Sequence, residues 1–166
     1  MPRMSNPTGY SVTQITLHWL VAVLIIAQFV LHDAIVAAWE ARTKGLEWEF
    51  GPLVAVHVFG GVVILLLGIW RLLLRIRRGV PPLPENEHPL LKVAAHVTHW
   101  SLYALMILMP LTGLATWFGG STLADTIHTT LKFPLLLLFL LHVIGALFQQ
   151  FVLKTQLLQR MMHAQK

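Results

Sequence analysis

The sequence has no cysteine among its 166 residues, and only 11% of its side chains are charged. Without cysteine there is no disulfide framework, no thiolate metal site, no thiol nucleophile and no covalent c-type haem attachment. A soluble domain carries about a quarter charged residues, so the shortage of charge excludes most water-soluble folds. Also missing are low-complexity tracts, internal repeats and the alternating pattern that a membrane barrel needs. What the chain does have is 56% hydrophobic residues, a mean hydropathy of +0.69, nine histidines and six tryptophans. The net charge of +5 in so apolar a chain marks one membrane face, and no nucleic-acid partner is expected.

Four apolar runs are each long enough to cross the roughly 30 Å hydrocarbon core as a helix of about 20 residues. They cover about 12–31, 52–74, 93–118 and 127–152. Backbone groups in lipid must be bonded internally, so the expected fold is all-α, an integral membrane four-helix bundle forming one domain over 1–166. The first run is too long for a cleavable signal, lacks a small-residue cleavage site and contains His18-Trp19, so it is read as a membrane helix.

Charge sets the orientation. Arg3, the 71–92 stretch with Arg71, Arg75, Arg77, Arg78 and Lys92, and the tail with Lys154, Arg160 and Lys166 hold nine of the twelve Lys and Arg. The opposite side holds only Arg42, Lys44 and Lys132. By the positive-inside rule both termini are cytoplasmic.

Ionisable side chains at membrane depth are costly and usually line a site. His128 and His142 are fourteen residues apart on the fourth helix, about 3.9 turns, so they share a face about 21 Å apart. One helix can thereby serve two planar cofactors, one per leaflet. Depth counted from the helix ends pairs His18 with His142 on the inner side and His57 with His128 on the outer side. Neutral imidazole suits iron, and two axial histidines leave no open position, which favours electron transfer over oxygen binding. The bland reading is a hydrogen-bonded packing histidine at each place; the pairing by depth favours ligands.

Other residues are weighed beside these four. His32 also follows His18 by fourteen residues but adjoins Asp33 at the outer boundary, so His57 is preferred. His99, with His96 on one face of helix three, is a candidate inner-haem or quinone contact, and otherwise packs. Arg71 either snorkels to the interface or pairs with an inner-haem propionate. Trp19 is a candidate wall of the inner site, and Lys132 a candidate outer anion contact. Gly60-Gly61 and Gly145 would let a flat macrocycle approach a helix.

These residues resemble a known group. Leu17-His18-Trp19-Leu20, His57, Arg71-Leu-Leu-Leu-Arg75, Pro81-Pro82, Ala95-His96 with His99, Pro110 with Gly113 and Arg160-Met161-Met162 are similar, in order and spacing, to the bacterial cytochrome b561 family. The resemblance spans about Tyr10 to Met162. It implies a multi-pass protein of the bacterial cytoplasmic membrane, similar in fold to the b-type cytochrome subunits of hydrogenases and formate dehydrogenases. It further implies two non-covalent b haems held by His18/His142 and His57/His128, redox exchange with ubiquinone, and superoxide oxidase as the best-described activity.

The sequence departs from that pattern at two points. The segment joining helices three and four is short, and the outer segments carry five carboxylates against three cations, a poor funnel for an anion. Gln149-Gln150 stand where relatives can carry histidines. Three readings therefore stay open. One is a cytochrome carrying electrons from superoxide or another outer donor to ubiquinone. Another is an electron-transfer subunit docked to a redox enzyme such as a hydrogenase. The third is a histidine-lined metal transporter.

Overall fold

The computed structural model describes residues 7, 9–84 and 87–164. Arg3 and Lys166 of the charge pattern lie outside the described residues. Among the described residues the chain is helical, with no strand: α1 Val12–Val30, α2 Asp33–Thr43, α3 Pro52–Arg78, α4 Pro89–Trp117, α5 Thr122–Phe151 and α6 Leu157–Arg160. Four of them, α1, α3, α4 and α5, are long and apolar enough to cross a membrane, in agreement with the four runs.

Caps explain where the structure lengthens the expected helices. Ser11 accepts from the Gln14 N–H while Gln14 reaches back to the Ser11 N–H, a reciprocal capping box that starts α1. Past the apolar run, α3 continues through Arg75, Arg77 and Arg78, whose charges suit a helix C-terminus, and stops at Gly79 with φ 78°. Upstream of its run, α4 starts with Pro89 in its first turn. At α5, Ser121 accepts from the Ala124 N–H at 3.2 Å, so the helix begins at Thr122, five residues earlier than hydropathy suggests. His128 therefore sits inside α5 rather than opening it.

Two helices are absent from the hydropathy reading. The segment expected as loop 32–51 contains α2, an Ala-rich helix with Asp33 in its first turn and Arg42 in its last. At the other end, Lys154 and Gln156 have positive φ (54° and 57°), and the chain turns there into α6.

α5 packs on α4, α4 on α3 and α3 on α1, while α1 and α5 meet only weakly among the described residues. The central core joins Val21 and Ile25 of α1, Ile64 of α3, and Tyr103 and Met106 of α4, with Phe139 of α5 against it; Val21 is only 2% exposed. This apolar layer stands between two cavities. Tyr103 reaches one, and Ile25, Ile64 and Met106 reach the other.

Candidate functional site: two histidine-lined cavities

The first cavity, about 280 Å³, lies at the end of the bundle carrying Tyr10 and Met161 and is called the terminal cavity. The second, about 320 Å³, lies beneath α2. Each contains one of the expected histidine pairs.

In the terminal cavity the rings of His18 (α1) and His142 (α5) have centres 6.0 Å apart and planes at 58°. In the α2 cavity the rings of His57 (α3) and His128 (α5) have centres 6.4 Å apart and planes at 73°. Imidazole nitrogen binds a first-row metal at about 2 Å and lies roughly 1 Å from its ring centre, so two imidazoles on opposite sides of one ion need centres about 6 Å apart. Both pairs have that separation. Among the described residues no group of three or more His, Asp or Glu side chains converges on a point. Two protein ligands suffice for an iron whose other four positions belong to a porphyrin, but not for an ion held by protein alone.

The second ring nitrogen distinguishes the histidines. His128 Nδ1 lies 2.8 Å from the Met109 carbonyl and 3.2 Å from Thr112 Oγ1. A proton on Nδ1, held by that carbonyl, leaves Nε2 as the free donor atom, the usual arrangement of a ligand histidine. Gly113 makes the approach feasible, because a Cβ there would lie 3.0 Å from His128 Cε1. Sequence reasoning linked Gly113 only to the family pattern; its use here depends on the α4–α5 register. His57 Nδ1 is buried with no hydrogen-bond partner among the described residues.

Arg71 points inward instead of snorkelling. Its Nη1 donates to the Leu17 carbonyl at 3.1 Å, and its Nη2 lies at the same distance from His18 Nδ1. Its buried Nε has no partner among the described residues, leaving one guanidinium N–H for an acceptor. Arg75 lies over the rings of Trp100 and Tyr103, at 5.3 and 5.5 Å. Tyr10, just ahead of α1, also lines this cavity; burial pushes its phenol up, against the opposing pull of Arg75, so it keeps its O–H.

The remaining candidates fall into place by contact. His99 has its ring 5.1 Å from that of His142 and its Nδ1 2.6 Å from the Ala95 carbonyl, so it stands beside His142 at less than the opposite-face separation. Trp19 lies edge-on to His18 at 5.2 Å, but it is 43% exposed and its Nε1 donates to the Met161 carbonyl at 2.8 Å. It touches the site's histidine and ties down the tail rather than lining the cavity. His32 is at the start of α2, with Nδ1 2.9 Å from the Phe29 carbonyl; it and Lys132 line the α2 cavity. Gly61 and Gly145 line the two cavities, and a Cβ at either would meet nothing within 4 Å, while Gly60 instead faces the Gln28 side chain.

Sequence reasoning missed an aromatic cage at the α2 end. Arg42 lies over Trp39, Trp48 and Trp117 at 5.9, 5.5 and 5.4 Å, and its Nη1 donates to the Trp117 carbonyl at 2.8 Å. A tryptophan excess was visible, but nothing local pointed all three rings at one cation.

Comparison with known proteins gives a consistent picture. The family described as prokaryotic cytochrome b561 matches residues 9–164. A protein named cytochrome b562 from Cereibacter sphaeroides is 36% identical, covering 96% of this chain and 98% of its own length. A protein named probable superoxide oxidase CybB from Yersinia pestis is 31% identical over 92% of this chain and 95% of its own. One named cytochrome b561 homolog 2 from Escherichia coli K12 is 25% identical over 95% and 93%.

Proposed function

The chain belongs to the prokaryotic cytochrome b561 family, multi-pass b-type haem proteins of the bacterial inner membrane that serve electron transfer, and on that premise we propose that it holds two b haems. In this reading His18 and His142 hold one haem in the terminal cavity, and His57 and His128 hold the other in the α2 cavity. The observation that carries it is the repeated ring separation, 6.0 and 6.4 Å, with one member of each pair on α5. The orphaned Arg71 Nε and the open space beside Gly61 and Gly145 suit a macrocycle with anionic propionates.

Bound haem b supplies one-electron redox chemistry, and the protein's residues do the rest. The apolar layer around Val21 and Ile64 keeps water from joining the two cavities. Arg71 lies against His18 and puts positive charge at the terminal cavity. Tyr10, His99 and Gln149 offer hydrogen-bonding groups at the same cavity, where ubiquinone is the acceptor. The terminal cavity faces the cytoplasm, because Arg75, Arg77, Arg78 and Arg160 gather at that end. The α2 cavity then faces outward and takes electrons from superoxide or another outer donor. The name of the Yersinia relative favours superoxide, with Lys132 as the local cation. The partner-subunit reading has α2 and residues 44–51 as its docking surface.

Haem-to-protein stoichiometry of the purified protein tests the proposal. Two haems per chain are expected, with reduction by a superoxide source and re-oxidation by a short-chain ubiquinone. No visible b-type spectrum, or a single haem, overturns the di-haem reading. Reduction by a docked redox enzyme but not by superoxide selects the partner-subunit reading.

A further inference from the structure

Glu87 has no role in the haem reading above. It lies in the proline-rich link between α3 and α4, two residues before Pro89, yet it is only 9% exposed. Its Oε1 accepts from Gln149 Nε2 of α5, and Gln149 Oε1 accepts from Thr155 Oγ1 at 2.8 Å. Its Oε2 is buried with no hydrogen-bond partner among the described residues. Leaving such an atom unpaired costs about 1–3 kcal/mol, so a carboxyl kept here for packing alone would be a poor choice. The side chain lines the terminal cavity together with Arg71, Arg75, His99 and Arg160.

A carboxyl with one oxygen fixed and one free can donate to a ligand carbonyl when protonated and accept from a ligand hydroxyl when ionised. We propose that Glu87 is the proton-exchange residue for a quinone bound in the terminal cavity. The inference rests on the quinone reading above. Reduction of a quinone to a quinol takes two electrons and two protons, and converts two C=O groups to C–OH. The electrons come from haem b. Glu87 gives one proton to a quinone oxygen, becoming a carboxylate, and regains it from water at that end of the bundle; water supplies the second. In the reverse direction its carboxylate takes a proton from a quinol hydroxyl. Gln149 holds the carboxyl in place, and Arg71, Arg75 and Arg160 offset the negative charge that Glu87 carries between transfers.

The rival role for Glu87 is a tie between the link and α5, and two variants separate the roles. Glu87→Gln keeps an oxygen for Gln149 but cannot exchange a proton. Glu87→Asp keeps the acid but is too short for the tie. The probe is decylubiquinone, added without oxygen to the pre-reduced, haem-loaded full chain in lipid nanodiscs. For Glu87→Gln, haem content, spectrum and decylubiquinone affinity are expected to stay within about twofold. Its rate of haem oxidation at saturating quinone should fall at least tenfold, since general acid–base catalysis is worth about 10²–10⁴-fold. Glu87→Asp should be the faster of the two. The redox infrared difference spectrum of the wild type should contain a carboxylic C=O band that Glu87→Gln removes. Glu87→Gln reacting as fast as Glu87→Asp or faster, or retaining the band, overturns the proposal. Reduced wild-type haem that decylubiquinone fails to oxidise overturns the quinone reading itself, and the Glu87 assignment with it.

Discussion

The ring of His128 rests on the backbone of α4 at Gly113, with room for hydrogen but not for a methyl group: a Cβ there would come within 3.0 Å of His128 Cε1. The His128 ring on α5 is thus positioned by the absence of a side chain on α4. Gly113→Ala must move the ring by a few tenths of an ångström or tilt α4 against α5. The expected result is a shifted or broadened spectrum of the haem in the α2 cavity, with the other haem unaffected. Low-temperature visible and electron-paramagnetic-resonance spectra resolve the two.

Removing ligands should subtract haems one at a time. His142→Ala and His57→Ala each should lower the haem-to-protein ratio by one, and the double variant should bind none. His99→Ala and His32→Ala should keep both haems, because neither ring stands at the opposite-face separation. Pyridine haemochrome assay against protein mass measures this directly.

Arg71 Nη2 lies 3.1 Å from His18 Nδ1, so its charge acts on the terminal cavity. A cation favours the reduced, more negative state of a nearby haem. A unit charge acting over about 10 Å at an effective dielectric of 20 amounts to about 1.7 kcal/mol, or roughly 70 mV for one electron. Arg71→Leu should therefore lower one of the two midpoint potentials by tens of millivolts in a redox titration. Equal shifts in both, or none, would contradict this placement.

The tail is fastened by single hydrogen bonds, Trp19 Nε1 to Met161 O at 2.8 Å and Arg160 Nη1 to Pro82 O at 2.9 Å. Each neutral hydrogen bond contributes about 0.5–1.5 kcal/mol. Trp19→Phe keeps the ring beside His18 but removes the donor. Amides around 157–163 should then exchange up to about tenfold faster, read by hydrogen–deuterium exchange, while α1 is unchanged.

Arg42 joins α2 to the end of α4 through the ring and carbonyl of Trp117, with Trp39 and Trp48 against the same guanidinium. Cation–π contacts are worth about 0.5–1 kcal/mol each when exposed. Arg42→Ala should cost about 2 kcal/mol of α2 docking and lower the thermal unfolding temperature by a few degrees. Arg42→Lys should recover only part, because Lys lacks the planar fork.

Much of this protein was readable from residue order alone. Hydropathy and the ban on unpaired backbone groups in lipid produced four helices, since each run can satisfy its own hydrogen bonds without help from a neighbour. The fourteen-residue spacing of His128 and His142 is likewise a property of one helix. Helix ends were less legible: α5 begins at Ser121 because a hydroxyl caps it, where hydropathy marks only the edge of the apolar run. α2 was missed because its residues are too polar to register as a buried span.

Tertiary structure decided which side chains from different helices meet. The rings near His142, His18 at 6.0 Å and His99 at 5.1 Å, depend on where α1 and α4 lie around α5. The inward turn of Arg71, the need for a glycine at 113, the cage around Arg42 and the buried Glu87 all join residues from separate helices. No periodicity within one segment carries that information. The absent cysteines and the scarce, lopsided charge excluded a covalent haem and most soluble folds, and the sequence by itself settled that much. Both cavities are lined jointly by residues of α1, α3, α4 and α5, and helix packing, not sequence order, made that choice.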